Sequence, residues 1–398
     1  MALQDVSQDV GQPKVAIFND PKVRGWVYQI VLLVVIVYLV YVGVQNMFAN
    51  LAAQNIASGF GFIGRNAGFA ISQSLLEYSQ AESSYGKVYM VGLLNTISIA
   101  FIGIILATVF GFIIGVARLS QNFVVRSVAT IYVEVFRNIP LLLHIFIWYF
   151  GVLRLLPQPR DSAELGLLGL LNNRGWFAPK PVPDELFFLT VVAFVIGIIV
   201  TLVIARWARR RQAETGQQFP TLLWGLGLIL GFPAVVFLVT GLPLAFDFPV
   251  AGNFRPSGGM TIIPEFIALL LALSTYTAAF IAEIVRAGIL AVDKGQTEAS
   301  HALGLRAGPT LRLVIIPQAM RVIIPPLTSQ YLNLTKNSSL AVAIAYPDLV
   351  SVFAGTALNQ TGQAVEILGM TMLTYLGLSL LTSAFMNWYN AKMALVER

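Results

Sequence analysis

Long uncharged apolar stretches constrain the fold of this chain most strongly. The hydrocarbon core of a bilayer is about 30 Å thick, so a helix needs about 20 apolar residues to cross it. Five stretches reach that length without a charged residue: Gly25–Phe48, Val88–Ala117, Leu186–Ala205, Phe219–Phe246 and Ile367–Ala391. Three more are bounded or interrupted by charges: Asn138–Leu153, Phe266–Ala282 and Val322–Ala345. The sequence therefore predicts an all-α polytopic membrane protein with eight transmembrane helices.

The composition supports this class. Of the 398 residues, 57% are apolar and 11% are charged, and the mean hydropathy is +0.76, whereas soluble domains carry about 25% charged residues. These values exclude a soluble enzyme, a disordered tail and a nucleic-acid-binding domain. The net charge of +6 does not indicate a nucleic-acid partner, because the basic residues lie between the apolar runs, where they determine topology. We expect membrane lipid to surround the chain.

The distribution of lysine and arginine predicts the orientation. With eight spans and a cytoplasmic N-terminus, sixteen basic residues fall in cytoplasmic segments and seven in outer segments, and Arg137 and Lys336 complete the 25. Basic residues favour the cytoplasmic side of a membrane. We therefore expect both termini to be cytoplasmic, with residues 1–24 as a cytoplasmic segment, 25–48 as the first span and 49–87 as an outer loop.

Segment lengths indicate two segments of interest, a pair of spans between long outer loops and a long cytoplasmic connection. The outer loops 154–185 and 247–265 are rich in proline and glycine, which mark turns and loops. Between them, two spans at about 186–246 are joined by an arginine-rich connection and form a candidate inserted helical hairpin. The cytoplasmic stretch 283–321 is long for a connection between spans, and a long loop is often functional.

Three common nucleotide-binding and catalytic motifs do not occur in the sequence. It contains no phosphate-binding G-x-x-x-x-G-K-[ST], no H-E-x-x-H and no G-x-S-x-G, which are common signatures of nucleotide, zinc and acyl-transfer sites. It also contains no cysteine, and its two histidines, His144 and His301, are far apart. We therefore expect a chain that is not an enzyme, with no catalytic residue, no metal site and no cofactor of its own.

The cytoplasmic stretch predicts a helix–turn–helix. Gln296–Leu303 is expected to form a short helix with Glu298 in its first turn, and Gly304 is expected to end it in the left-handed conformation. Pro309 suits the first position of a second helix. Two interpretations are open: this knob docks in the groove of a soluble partner, or it lies on lipid headgroups.

The same stretch resembles the EAA loop of ABC importer permeases. Glu298, Ala299, Gly304 and Pro317 match that motif at the correct spacing, and Ser300 replaces a second alanine. Residues 92–96, 136–142 and 336–340, together with Gln296, resemble the polar amino acid (histidine/glutamine) branch of this family. Residues 58–62 resemble the larger permeases of general L-amino acid importers.

The resemblance implies a fold, partners and a location. It covers about 88–390 and implies a type I ABC importer transmembrane domain with five core helices, which is eight spans minus the first and the inserted pair. It further implies ATP bound by a separate ABC ATPase subunit, a second permease subunit that is a paralogue or a copy, a periplasmic amino acid-binding protein and an L-amino acid substrate. The location would be the bacterial inner membrane. ATPase motion would reach the spans through the coupling residues Gln296, Glu298, Ala299, Ser300, Gly304 and Pro317.

A second candidate site surrounds Lys336, which follows Arg321 by fifteen residues, or about 22 Å along a helix. A charge at that depth is costly unless it faces water or a partner. Asn333, Lys336, Asn337 and Ser338 therefore form either a polar patch on the translocation path or a structural helix break with Lys336 reaching outward. An ATP-independent secondary transporter or channel is the alternative function, and a membrane scaffold without transport is a third.

Overall fold

The computed structural model describes residues 21–53, 58–252 and 256–393. Most of the predicted N-terminal segment 1–24 and the final residues 394–398 lie outside the described residues. Within the described ranges, seven helices are long and apolar enough to cross a membrane, and a bent pair makes up to eight. The bent pair is Phe123–Asn138 with Leu141–Leu155, whose axes differ by 107°. The predicted all-α fold with eight spans is confirmed.

The helices follow the chain in an order that matches the predicted spans. Their bounds are α1 Pro21–Ala53, α2 Tyr85–Ala117, α3 Phe123–Asn138, α4 Leu141–Phe146, α5 Phe187–Thr215, α6 Thr221–Leu226, α7 Phe232–Val239, α8 Pro264–Leu290, α9 Lys294–Ala302, α10 Ala307–Thr310, α11 Ile316–Asn337, α12 Leu358–Thr361 and α13 Ala364–Met393. Turns of 3-10 or π helix extend several of them, notably Ile147–Val152, Gly227–Gly231, Leu311–Ile315, Ser338–Ile344 and Val350–Ala357.

The core forms where α2 packs against α8. Gly111 and Gly115 face α8 so closely that a β-carbon at Gly111 would lie 2.5 Å from Ile281 Cγ2, and one at Gly115 would lie 2.7 Å from the Ala282 carbonyl oxygen. Small residues spaced by four let two helix backbones approach in a bilayer. Residues of α8 such as Leu269 and Leu273 are fully buried in the resulting cluster.

The bend between α3 and α4 has a local cause. Asn122 caps the N-terminus of α3, and its side-chain oxygen accepts from the amides of Val124 and Val125. α3 is strongly amphipathic, because apolar and polar residues occupy opposite faces. Pro140 then separates α3 from α4, since the residue before a proline avoids helical geometry, and Ile139 is indeed extended.

The outer loops are more ordered than their proline and glycine content predicts. Residues 163–183 and 244–262 form two antiparallel sheets. Their strands are β1 Ala163–Glu164, β2 Leu170–Asn172, β3 Gly175–Ala178, β4 Lys180–Pro183, β5 Leu244–Asp247 and β6 Met260–Ile262. The first sheet has the order β1-β2-β3-β6, and the second pairs β4 with β5. Both sheets join the loop before the inserted hairpin to the loop after it.

The inserted hairpin is closed at its base by the second sheet. Pro183 pairs with Leu244, and the amide of Asp184 donates to the carbonyl of Pro243 at 3.0 Å. α5 then packs on the bent helix formed by α6, Gly227–Gly231 and α7, and Gly197 lies against the backbone of Leu228. The first and last residues of the hairpin therefore lie side by side.

Candidate functional site

We call residues 293–317, which contain the predicted coupling residues, the coupling loop. It begins at an N-cap that the sequence analysis did not identify. The Asp293 side chain accepts from the amide of Gly295 at 2.6 Å, and α9 starts at Lys294, two residues before the predicted start. The prediction that Glu298 lies in the first turn is therefore wrong, because the capped helix is longer. Glu298 is exposed instead on the outer surface of α9.

The end of α9 agrees with the prediction. Gly304 has φ +76°, the Leu305 amide donates to the Ser300 carbonyl at 3.1 Å, and the Gly304 amide donates to the His301 carbonyl at 2.9 Å. These two bonds form a Schellman motif, which uses a left-handed residue to satisfy the last helical carbonyls. The second helix, however, begins at Ala307 with Arg306 as its cap, so Pro309 is not its first residue.

One side-chain hydrogen bond links the two arms of the loop, and another lies within α9. The Gln318 side-chain amide donates to Gln296 Oε1 at 3.2 Å, which links α9 to the start of α11. Ser300 is buried, and its hydroxyl donates to the Gln296 carbonyl at 2.6 Å. Pro317 lies in the first turn of α11 and is exposed.

The outer surface of α9 combines charge with apolar area. Glu298, Ala299 and His301 are exposed on α9, and Leu303, the residue that follows it, is 82% exposed. A short, well-capped helix with exposed apolar and charged residues is suited to a protein groove. Of the six predicted coupling residues, five are therefore exposed and Ser300 is internal.

The loop is attached to the span helices by an ionic cluster. Glu283 on α8 pairs with Arg118, the residue after α2, and with Arg286 at 2.6 Å. The Arg118 side chain is only 10% exposed. The Arg118–Glu283 pair joins the ends of α2 and α8 directly before the coupling loop, and the Glu283–Arg286 pair lies within α8. The loop therefore projects from a base that is held by ion pairs.

The structure separates one residue of the second candidate site, Ser338, from the other three. Asn333, Lys336 and Asn337 share one face of α11, and the first two are exposed, whereas Ser338 is fully buried and donates to the Thr335 carbonyl at 2.7 Å. α11 ends at Asn337, where a 3-10 segment begins. Lys336 lines a cavity of about 390 Å³ against α13, together with Ser339, Val350, Thr371, Met372, Tyr375, Leu376 and Ser379.

A buried polar network beside this cavity was missed by the sequence analysis. Asp348 is fully buried, and its carboxylate accepts from the Ser351 amide at 2.8 Å and from the Tyr375 hydroxyl at 3.3 Å. Asn95 donates to the Pro347 carbonyl at 2.8 Å, and Thr96 accepts from the Leu349 amide at 3.0 Å. The available signal was that Asp348 is the single charged residue between Lys336 and Glu366.

Comparison with known proteins identifies the family. The family of binding-protein-dependent transport system inner membrane components matches residues 193–395. The chain is 56% identical over 379 residues to the general L-amino acid transport system permease protein AapQ of Rhizobium johnstonii, covering 95% of this chain and 94% of AapQ. It is 51% identical over 381 residues to the putative amino-acid ABC transporter permease protein YhdX of Escherichia coli K12, covering 96% and 97% of the two chains.

A third relative matches along the whole chain. The chain is 40% identical over 429 aligned positions to the glutamate/glutamine/aspartate/asparagine transport system permease protein BztB of Rhodobacter capsulatus, covering 100% of both chains. The crystal structure of an amino acid ABC transporter with histidines matches with a TM-score of 0.46 and 20% identity, covering 77% of this chain and 95% of that one. The family match and the identities of 56%, 51% and 40% to the three permeases, each over nearly the whole chain, show the family. The chain belongs to the family of binding-protein-dependent ABC importer permeases.

Proposed function

We propose that this chain is the permease subunit of an ATP-driven, binding-protein-dependent importer of L-amino acids. Family membership supports transport, and AapQ and YhdX support amino acids as the substrate class. The chain covers more than nine tenths of both relatives, so the comparison extends over nearly their full length. A permease of this kind provides a path and carries out no chemistry of its own.

The coupling loop supports the ATP-driven mechanism. Glu298 and Ala299 on α9 and the following Leu303 are exposed, and Gly304 forms the turn. Arg118, Glu283 and Arg286 form ion pairs at the base of the loop. A short helix on a base held by ion pairs moves as a rigid unit, so a displacement of α9 by the ATPase is passed on to α8 and α2. The exposed surface of α9, in a chain of this family, is the observation that carries the proposal.

The proposal requires partners that supply the remaining functions. A separate ABC ATPase subunit binds ATP and receives α9, a second permease subunit completes the path, and a periplasmic binding protein delivers the amino acid. We favour a paralogue over a second copy of this chain as the other permease subunit. The chain lies in the bacterial inner membrane with both termini in the cytoplasm.

The polar patch around Lys336 is our candidate for the translocation path. Lys336 lines an open cavity next to α13, and Asn333 and Asn337 share its helix face. A lysine there attracts the carboxylate that all amino acids carry. Ser338 belongs to the buried support of this face rather than to the path, because its hydroxyl is bound to the Thr335 carbonyl.

Reconstitution tests the proposal. The chain, its second permease subunit and its ATPase are placed in liposomes with the binding protein, and uptake of labelled L-amino acids is measured with and without ATP. We expect accumulation that requires both ATP and the binding protein. Uptake by this chain without the ATPase, driven by an ion gradient, would identify a secondary transporter and contradict the proposal.

A further inference from the structure

The arginine-rich end of the inserted hairpin has no role in the proposed transport mechanism. Four of the six residues from 206 to 211 are arginines. They lie on the last turns of α5, directly after its apolar part, and Gly216 ends the helix with φ +72°. The chain then returns through α6, which is again apolar. The arginines therefore lie at the level where the hairpin leaves the hydrocarbon.

Two of these arginines are occupied by the protein. Arg211 donates to Gln217 Oε1 at 2.8 Å, and its Cζ lies 5.3 Å from the centre of the Trp207 ring. Arg209 donates through Nε to the Ala205 carbonyl at 3.3 Å. These contacts occupy two of the four arginine side chains.

The other two arginines are free. Arg206 and Arg210 are four residues apart, so they lie on one helix face. Both are exposed, and within the described part of the chain neither guanidinium has a hydrogen-bond or ion-pair partner. Glu214, the one acidic residue in 206–216, is not paired with either of them. Two neighbouring guanidinium groups without a partner present a site for an anion, and guanidinium binds phosphate oxygens in a bidentate manner.

Aromatic rings cluster at the same end of the hairpin. The Trp207 ring centre lies 5.5 Å from that of Phe219, which lies 6.1 Å from that of Trp224. Both tryptophans are about half exposed. Tryptophan is enriched at the level of lipid headgroups and glycerol, because its ring is apolar and its N–H is polar.

An apolar groove continues from this aromatic cluster toward the middle of the hairpin. It has a volume of about 360 Å³ and is lined by Leu223, Trp224, Gly227 and Leu228. Gly227 leaves the groove open, because no neighbouring atom lies within 4 Å of where its β-carbon would be. This end of the hairpin therefore carries exposed cations, aromatic rings and an apolar groove, which suit the phosphate, the glycerol region and an acyl chain of a phospholipid.

We infer that this end of the hairpin binds an anionic phospholipid. The phosphate is held by Arg206 and Arg210, the glycerol region lies beside Trp207 and Trp224, and one acyl chain occupies the groove at Gly227. The charge excess of the segment selects an anionic lipid over a zwitterionic one, since its four arginines face a single glutamate.

Lipid retention by the purified full-length chain tests this inference. The protein is extracted in mild detergent, and bound phosphatidylglycerol is compared with phosphatidylcholine of the same acyl chains by native mass spectrometry. The test variant is Arg206→Gln/Arg210→Gln. The matched control is Arg24→Gln/Arg126→Gln, which removes the same charge from two exposed arginines elsewhere. We expect the test variant to bind phosphatidylglycerol about 30-fold more weakly and the control to bind it as the wild type does.

Several outcomes would overturn the inference. They are equal binding of the two lipids by the wild-type chain, an equal loss in the control variant, displacement of the lipid by excess inorganic phosphate, or replacement of the lipid by a second protein subunit at this end. Even if the double variant does not fold, the preference of the wild-type chain for phosphatidylglycerol over phosphatidylcholine tests whether the site selects an anionic lipid. Retention of lipid by Arg206→Lys/Arg210→Lys would support it further, because that variant keeps both charges.

Discussion

At the scale of single residues, Glu283 connects two spans. Its carboxylate pairs with Arg118 beyond the end of α2 and with Arg286 on α8. We expect Glu283→Gln to destabilise the folded chain by about 1–3 kcal/mol, because Arg118 is left nearly buried without its counter-ion. The measurement is the thermal unfolding midpoint of the purified chain in detergent.

The control for this prediction is Glu298→Gln. Glu298 is exposed and has no ion pair in the described ranges, so its removal should leave the unfolding midpoint unchanged. A Glu283→Gln variant that unfolds at the same temperature as Glu298→Gln would show that the cluster does not brace the base of the loop.

Local rules predicted some residues of the coupling loop well and others poorly. Gly304 was predicted as a left-handed helix end, and it is one, because glycine dominates that conformation. The place of Glu298 was predicted wrongly, since Asp293 competes as a cap and starts the helix earlier. Asp348 was missed because its partners Ser351 and Tyr375 are brought to it by tertiary packing.

At the scale of elements, the contact of α2 with α8 rests on glycine. We expect Gly111→Leu to destabilise the chain by about 1–3 kcal/mol, near the upper end of that range. A β-carbon there lies 2.5 Å from a side-chain atom of Ile281 and 3.1 Å from the Ala278 carbonyl oxygen, which cannot move freely. The readout is the fraction of the chain that elutes as a single species after gentle heating.

Gly377→Leu is the matched control for Gly111→Leu. Gly377 also lies within a span helix, but no neighbouring atom lies within 4 Å of its would-be β-carbon. This variant should elute as the wild type does. Equal elution of the two variants would mean that α2 and α8 do not require close approach.

The inserted hairpin is the second element-scale test. The structure allows Asp184–Pro243 to be replaced by Asn-Gly, because Pro183 and Leu244 are directly paired across the base and a two-residue turn closes such a pair. We expect the shortened chain to insert in the membrane and to bind the ATPase. Loss of transport in a shortened chain that still assembles would place the hairpin on the path.

The elements differ in how far the sequence predicts them. The spans were predictable, because crossing a bilayer imposes both a length and an apolar composition. The sheets were not, since β1 to β6 have two to four residues each and no alternating pattern. β3 with β6, and β4 with β5, also join segments on opposite sides of the hairpin in the chain, and such pairings leave no local signal.

At the scale of the whole molecule, the topology determines where partners bind. The sequence contains no cysteine, so single cysteines report sidedness without background. We expect Ser257→Cys, in the loop after β5, to react with an impermeant thiol reagent in intact cells. His301→Cys, on α9, should react only after the membrane is opened. The reverse pattern would invert the orientation and remove α9 from the side that holds ATP.

The central claim is that α9 and its turn at Gly304 transmit ATPase motion to the spans. We expect Gly304→Asp to insert in the membrane normally, because the position is exposed and no neighbouring atom lies within 4 Å of a new β-carbon. A residue with a β-carbon in the left-handed conformation costs about 1–2 kcal/mol. We expect the turn to relax away from that conformation, and this changes the angle of α9. Gly216→Asp is the matched control, since Gly216 has φ +72° and equally open surroundings in the hairpin.

The most direct measurement compares these two variants in the reconstituted complex. ATPase co-purification and substrate-stimulated ATP hydrolysis are determined for Gly304→Asp, Gly216→Asp and the wild-type chain at equal amounts of inserted protein. The account predicts that both quantities fall for Gly304→Asp and stay at the wild-type level for Gly216→Asp. A Gly304→Asp complex that retains its ATPase and hydrolyses ATP at the wild-type rate in response to substrate would contradict it.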